Sequence, residues 1–467
     1  MNCATKWAPR LPARPTEATR QQSLTFASPN FRYNIFMRQR LWLFPLILFL
    51  LLAHPACLYP QTATLKQIHA EGLKSLSEQQ VADLCGLSIG SQVGRNDLQE
   101  AANLLLRSGL FAKVNYKFDT HNDDVTVTFH LEENPRLPVS YDNFPWFADA
   151  ELTDAVRKAL PFYDGTLPEG GTVVDLAGNA LASFMDAHGL KAEVEHFVLV
   201  NPLIDSSEQQ FQLQGVTQRI ASIDFSDPTL KDNLAVQQHL SEIRGKPYSR
   251  LAIDVFLAES IRPVYLQLGY LRAKIGPAEV RLSGNPNQKF PEDIPVYVPC
   301  VPGSVYHWKE AQWNGNNALS SETLKRTVGL NPGDLADGMK IEGGWDRIRE
   351  AYGHLGYLDA KLSPVPSYDD QGHTVSYTVG VVEGKQYHYH DMVITGMSAA
   401  GERMMRDAWP LKPGEVMDKT AFEQYLLRLE AHRESIFHEL PVHYDSVGHW
   451  LQTDTDKGTV DVLLDFK

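Results

Sequence analysis

Apolar positions along this chain follow two alternating rhythms, and a glycine marks each change from one to the other. Ile341, Trp345, Ile348, Tyr352 and Leu355 are spaced four, three, four and three residues apart, which puts them on one stripe of a helix. Directly after them, Gly356-Tyr357-Leu358-Asp359-Ala360-Lys361 opens a stretch in which apolar and polar residues alternate, as in a half-buried strand. The same switch occurs at Gly109-Leu110-Phe111-Ala112-Lys113-Val114, at Gly189-Leu190-Lys191-Ala192-Glu193-Val194 and at Gly269-Tyr270-Leu271-Arg272-Ala273-Lys274. A degenerate copy reads Ser435-Ile436-Phe437. The landmarks lie 80, 80, 87 and 79 residues apart. Self-similarity at a fixed period signals a repeat architecture. Glycine suits the position because a helix C′ residue takes φ > 0, so Gly109, Gly189, Gly269 and Gly356 are expected to be structural turn glycines.

The remainder of each period reads consistently. A shorter helix precedes the long one: Ser77-Glu78-Gln79-Gln80 has the form of an N-cap and first turn, and Ser321-Glu322-Thr323-Leu324 repeats it. Strands ending in glycine are predicted ahead of these helices, over 68–72, 311–315 and 393–396. Polar turns at 120–124 and 369–373 close hairpins whose returning strands cover 125–131 and 374–382. Pro263 is expected to kink the long helix of the third period. Segments 201–210 and 283–293 read as loop insertions. Each period is thus strand, helix, helix, strand, strand, an α+β solution with a three-stranded sheet and two helices on one face.

This order, with Gly-Leu-Phe or Gly-Tyr-Leu before the second strand, resembles the POTRA domain of BamA-like outer-membrane assembly and two-partner-secretion proteins. The first period carries the pattern from Glu71-Gly72 through Gly86-Leu87-Ser88-Ile89-Gly90 to Leu131-Glu132-Glu133-Asn134-Pro135. Gly356-Tyr357-Leu358-Asp359-Ala360, Val381-Val382-Glu383-Gly384, Tyr387 and Ile394-Thr395-Gly396 resemble a junction between successive POTRA units. The expectation is an elongated array of five tandem POTRA-like units, β-α-α-β-β each, over 64–134, 135–215, 216–303, 304–385 and 386–467. The second and third match in spacing more than in detail. Family members continue into a membrane β-barrel; here the fifth period runs to Lys467 and no barrel strands follow it, so the resemblance implies the arm alone.

Composition narrows the setting. Met37-Arg38-Gln39-Arg40, the apolar run 41–53 and small residues near Ala56 fit a secretory signal over 37–63, with 1–36 a mis-called or disordered extension ahead of a start at Met37. Lipidation at Cys57 and a retained N-terminal anchor are the alternatives. The formal charge is −14, and it falls to −20 once residues 1–63 are removed. Such a body repels nucleic acid and anionic lipid. Of the four cysteines only Cys85 and Cys300 lie beyond residue 63, in different periods, and they read as buried or free thiols.

No catalytic motif stands out, and no cofactor is expected. Tyr387-His388-Tyr389-His390 puts two histidines on one strand face, but a metal site needs more ligands, so no metal is assigned. Binding is the expected activity: an open sheet edge offers unpaired N–H and C=O groups to an extended chain. The resemblance places the contact on the second strand of each unit, near 113–118, 272–275, 360–362 and 442–444. The residues are Val114, Tyr116, Phe118, Ala273, Ile275, Ala360, Leu362, Val442 and Tyr444. It implies a non-enzymatic periplasmic scaffold for unfolded outer-membrane or secreted proteins, or for a separate β-barrel subunit. The alternatives are the arm half of a split barrel protein and an exported enzyme with an unrecognised site.

Overall fold

The computed structural model describes residues 62–282, 289–431 and 446–467. The α+β class expected from the sequence is what it shows, in five successive stretches. The first contains β1 (Ala63–Glu71), α1 (Glu78–Leu84), β2 (Gln92–Val93), α2 (Arg95–Arg107), β3 (Phe111–His121) and β4 (Asp124–Glu133). Its sheet has the order β2-β1-β4-β3, with β1 parallel and β3 antiparallel to β4. Ser77 and Gln80 form a reciprocal capping box that starts α1. Leu98, Ala101, Ala102 and Leu105 bury one face of α2 against alternate residues Val125, Val127, Phe129 and Leu131 of β4.

The second stretch has β5 (Arg136–Tyr141), α3 (Asp149–Ala159), β6 (Thr166–Pro168), α4 (Thr172–Ala187), β7 (Glu193–Asn201) and β8 (Ser206–Gln214), ordered β6-β5-β8-β7. The third has β9 (Arg219–Phe225), α5 (Pro228–Lys231), α6 (Leu234–Ile243), α7 (Arg250–Phe256), α8 (Arg262–Gln267), β10 (Lys274–Ile275), β11 (Glu279–Val280), β12 (Asp293–Val298) and β13 (Cys300–Val301). Its strands form a sheet β11-β12-β9 and a small pair β10-β13. The fourth has β14 (His307–Asn314), α9 (Ser321–Val328), α10 (Gly338–His354), β15 (Lys361–Asp369) and β16 (Thr374–Val382), ordered β14-β16-β15. The fifth has β17 (His388–Thr395), α11 (Ala399–Asp407), α12 (Lys419–Ala431), β18 (Val447–Asp454) and β19 (Thr459–Phe466), ordered β17-β19-β18.

Several expectations are corrected. First strands begin well before their predicted starts at 68, 311 and 393, because bulges at Leu65/Gln67, Trp308/Glu310 and Tyr389/Met392 break the period-two pattern. β1 starts at Ala63, inside the span 37–63 assigned to the signal; 1–61 lie outside the described residues. The first two sheets have a fourth strand, β2 or β6, just ahead of the long helix. In the other three it shrinks to the single bridges Arg219–Pro247, His307–Leu335 and His388–Val416. Segment 201–210 is not an insertion. Asn201 pairs with Ser206 across a tight turn in which the Asn201 side chain accepts from the Leu203 N–H at 3.0 Å, and β8 starts there. Of segment 283–293, residues 283–288 lie outside the described residues, and β12 begins at Asp293. At Pro263 the long helix is interrupted by a π-turn, Leu257–Ile261, that absorbs the lost bond.

Adjacent stretches interlock at the landmark glycines. Gly109 (φ +83°) lies so close to the second stretch that a Cβ there would fall 1.7 Å from the Gly170 carbonyl oxygen. Two residues further on, Phe111 is buried in a core shared by the first two stretches. Gly269 and Gly356 work in parallel. The Gly269 carbonyl accepts from Tyr306 N–H at 3.0 Å and the Tyr306 carbonyl from Ala336 N–H at 3.0 Å. The Gly356 carbonyl accepts from Tyr387 N–H at 2.8 Å and the Tyr387 carbonyl from Met417 N–H at 2.9 Å. Two residues beyond each glycine an apolar side chain enters the next core, Leu271 into the fourth and Leu358 into the fifth. In the fourth core Trp345 packs against Trp308, Trp313 and Tyr377 with ring centroids 5.5–6.3 Å apart. Such pairs contribute about 0.5–1.5 kcal/mol each beyond area burial.

Gly189 differs. It has φ +87°, yet a Cβ there would meet nothing within 4 Å, and the residue two further on is Lys191. The second and third stretches join through other residues: Asp142 accepts from Ser249 Oγ at 2.9 Å and Leu251 N–H at 3.0 Å, Trp146 Nε1 donates to the Pro291 carbonyl at 3.1 Å, and Lys289 Nζ donates to the His188 carbonyl. Trp146 packs against both neighbouring cores.

The third residue past the glycine also sets polar contacts. Arg272 Nη1 reaches Asp370 in the β15–β16 turn at 3.0 Å, and the Tyr306 hydroxyl donates to the same carboxylate at 2.5 Å. At the matching position Asp359 accepts from the Tyr387 hydroxyl at 2.5 Å, which lies 3.2 Å from Thr455 in the β18–β19 turn.

Two outcomes follow from these junctions. Gly109→Ala is expected to lower stability by about 2–5 kcal/mol, adding overpacking to the left-handed backbone cost, whereas Gly189→Ala costs about 1–2 kcal/mol; denaturant titration of both variants checks it. The hydrogen bond from Tyr306, then Arg272, lowers the Asp370 pKa. Its contribution is therefore present above the ordinary carboxylate value of about 3.9 and lost as pH falls through the lowered one. Label-to-label distances between the third and fourth stretches should change on that acidification in the wild type and stay constant in Asp370→Asn.

Candidate partner-binding edges

Each sheet leaves one long hairpin strand with an open side, except in the third stretch. Among the described residues β3, β7, β15 and β18 each pair on one side only, and each touches the long helix of its own stretch. Of the predicted contact residues, Val114, Tyr116 and Phe118 fall on β3 and point toward α2. The first two are half-buried, and Phe118 lies under the Arg95 guanidinium at 6.0 Å. Ala273 precedes β10 and Ile275 is its second and last residue, so the strand expected over 272–275 is only a two-residue pair with β13. Ala360 precedes β15 and Leu362 lies within it. Val442 and Tyr444 lie outside the described residues; the described edge strand of that stretch is β18.

The four edges differ chemically. β3 carries Lys113 and Lys117 on its outer face, Lys113 bonded to Glu132 at 2.6 Å; lysines of this kind discourage a further strand. β15 is blunted in another way. Pro364 and Pro366 are two residues apart, so their nitrogens face the same side of the strand. The unbroken antiparallel register from Lys361↔Val382 to Asp369↔Thr374 requires that side to be the open one. Of the outward positions Leu362, Pro364, Pro366 and Tyr368, only the outer two have an N–H to offer. A cleft of about 480 Å³ lies beside this strand, between α8, α10 and β15, with Arg262, Leu266, Trp345, Arg349, Pro364 and Tyr368 in its lining. β7 and β18 carry neither lysine nor proline. β7 was missing from the predicted set. Its signal was readable in the uncharged run His196-Phe197-Val198-Leu199-Val200-Asn201.

Other chemistry is sparse. Cys85 and Cys300 are free and buried, and burial raises both thiol pKa values, which suppresses thiolate reactivity. Among the described residues no group of three or more His, Cys, Asp or Glu is placed to hold a metal, and His390 Nδ1 is engaged by Asp461 at 2.8 Å. No helix among the described residues is long and apolar enough to cross a membrane.

Helix-flanked sheets in which the first strand of the stretch runs parallel to its last long strand recur in all five stretches. Residues 63–134 and 306–384, the first and fourth stretches, match the POTRA family model, described as surface antigen variable number repeat. The chain carries POTRA domains there and is homologous to BamA-like outer-membrane assembly factors. An outer membrane protein assembly factor of Treponema pallidum (strain Nichols) is 23% identical over 205 residues, 44% of this chain and 24% of that protein. Outer membrane protein assembly factor BamA of Buchnera aphidicola is 19% identical over 350 residues, 73% of this chain and 55% of that protein. The chain thus spans a quarter to just over half the length of these relatives. Among solved structures, a Haemophilus influenzae fragment of BamA POTRA domains 3–5 aligns with 20% identity over 54% of this chain and 96% of its own, with a TM-score of 0.42.

Replacing Pro364 and Pro366 by Thr restores two outward donors and is expected to convert β15 into a pairing edge. Sedimentation velocity should show self-association of the double variant, with the wild type monodisperse at the same concentration.

Proposed function

We propose that this chain is a non-enzymatic periplasmic arm of five POTRA-like units that takes part in outer-membrane protein assembly by holding unfolded outer-membrane or secreted polypeptides. The observation that carries this reading is the set of open edge strands, each lying beside a helix, on a chain homologous to assembly factors. A client in extended conformation adds a strand there; backbone hydrogen bonds supply affinity, and side-chain contacts supply loose selectivity. The interlocked glycine junctions support the reading because they fix the spacing between successive edges. A separate β-barrel subunit is a second class of partner that the same edges suit, since a barrel precursor also exposes unpaired strands before closure.

Affinity capture from an envelope extract, with the chain from residue 62 onward as bait, tests the reading. Barrel precursors or a barrel subunit are expected among the captured proteins. A capture containing no outer-membrane or secreted polypeptide overturns it.

A further inference from the structure

The tip of the β7–β8 hairpin is apolar where the tips of the other long hairpins are polar. The eight residues from Phe197 to Ile204 carry no charge. By contrast, the β3–β4 turn is Asn122-Asp123, the β15–β16 turn Asp370-Gln371-Gly372-His373 and the β18–β19 turn Thr455-Asp456-Lys457-Gly458. Ile204 is 61% exposed, Val200 55%, Leu203 41% and Phe197 39%. Phe197 and Val200 are three residues apart on β7, so they face opposite sides of the hairpin. Apolar exposure on both sides describes a wedge, and whatever covers a wedge has to surround it.

The backbone of the tip suits an apolar surrounding. Leu203 N–H donates to the Asn201 side chain at 3.0 Å, and Ile204 and Asp205 N–H donate to the Asn201 carbonyl at 3.3 and 2.9 Å. Pro202 has no N–H, so none from 202 to 205 is left needing water. Unsatisfied N–H groups are what keep irregular backbone out of hydrocarbon. The residue that closes the turn differs in the same sense. Asp369 and Asp454 accept the turn N–H groups of the β15–β16 and β18–β19 hairpins with a carboxylate. Asn201 does so with a neutral amide, whose Nδ2 donates to Glu208 at 3.0 Å.

We infer that the β7–β8 tip is a lipid-contact wedge that seats Val200, Leu203 and Ile204 in the interfacial layer of a zwitterionic bilayer. This goes beyond the client-holding reading and does not depend on strand addition. A bilayer interface envelops a wedge from both sides. Charge sets the kind of lipid and the depth. The body beyond residue 63 carries −20, and Asp205 and Glu208 stand beside the apolar residues, so anionic headgroups are repelled. Asp205, exposed at the end of the turn, holds the tip at headgroup level, because a carboxylate is costly to carry into hydrocarbon. A few half-exposed side chains give reversible contact, so the wedge orients the second stretch and does not anchor the chain.

The test uses the full chain carrying Cys3→Ser and Cys57→Ser, with Cys85 and Cys300 left buried and an environment-sensitive fluorophore attached at Ile204→Cys. A second chain carries the fluorophore at Asn122→Cys in the β3–β4 turn. With phosphatidylcholine vesicles the label at 204 is expected to shift to shorter wavelength and to be quenched by a nitroxide at the lipid headgroup, while the label at 122 stays in water. A label at 204 that stays in water, or an equal response at 122, overturns the inference. Leu203→Ser should weaken partition of the tip about five- to tenfold, and an unchanged partition counts against the wedge. Asp205→Asn should strengthen it. Replacing about a third of the lipid by phosphatidylglycerol should weaken it at low salt, and stronger binding to those vesicles also overturns the proposal. A label shielded by added envelope protein yet indifferent to vesicles assigns the tip to a protein interface and excludes the lipid reading. Client capture by Leu203→Ser should match the wild type, so failure of the wedge and failure of the client-holding reading are separate results.

Discussion

Delivery of one apolar side chain into the neighbouring core is the interaction on which the rest of the arrangement depends. A stretch of about eighty residues buries a modest core, and neighbour contacts supply a large part of the stability of small repeated units. The long helix ends in a glycine whose left-handed backbone turns the chain, and the second residue past it points across the boundary. Phe111, Leu271 and Leu358 do this at three boundaries. The close backbone approach that the glycine permits then adds hydrogen bonds through Tyr306 and Tyr387. Hydrophobic burial supplies most of the energy of these junctions. The exposed Arg272–Asp370 pair adds orientation more than stability, since water screens ion pairs at such exposure.

The boundary between the second and third stretches shows what happens when that side chain is missing. Lys191 occupies the position, Gly189 faces open space, and the connection is built instead from Asp142, Trp146 and the segment around Pro291. Lys191 lines instead, with Asp186 and Glu193, a cleft of about 700 Å³ between α4 and the start of β7.

Much of this was legible in the sequence. Helix stripes and landmark glycines were readable because burial at intervals of three and four leaves a clear trace, as at Ile341, Trp345, Ile348 and Tyr352. First strands were cut short because a bulge reverses which face each residue occupies, so a period-two search loses the segment from Trp308 back to His307. β2 and β6 were missed because two or three residues carry no period at all. Segment 201–210 misled because buried glutamines, Gln209 and Gln210, read as loop residues although both lie inside β8. Of the strands expected to carry contact residues, β3 and β15 lie at sheet edges. β7 escaped because an exposed apolar strand looks like core until its partners are known.

The polar contact three residues past each glycine carries information about order. Arg272 meets Asp370 of the fourth stretch, whereas Asp359 at the matching position accepts from the Tyr387 hydroxyl of the fifth, which also reaches Thr455. A duplicated copy of the fourth stretch placed after itself would bring Asp359 against Asp370, two carboxylates where the native junction has an arginine. The third and fourth stretches are therefore not interchangeable modules. The sign of this side chain distinguishes the third–fourth seam from the fourth–fifth.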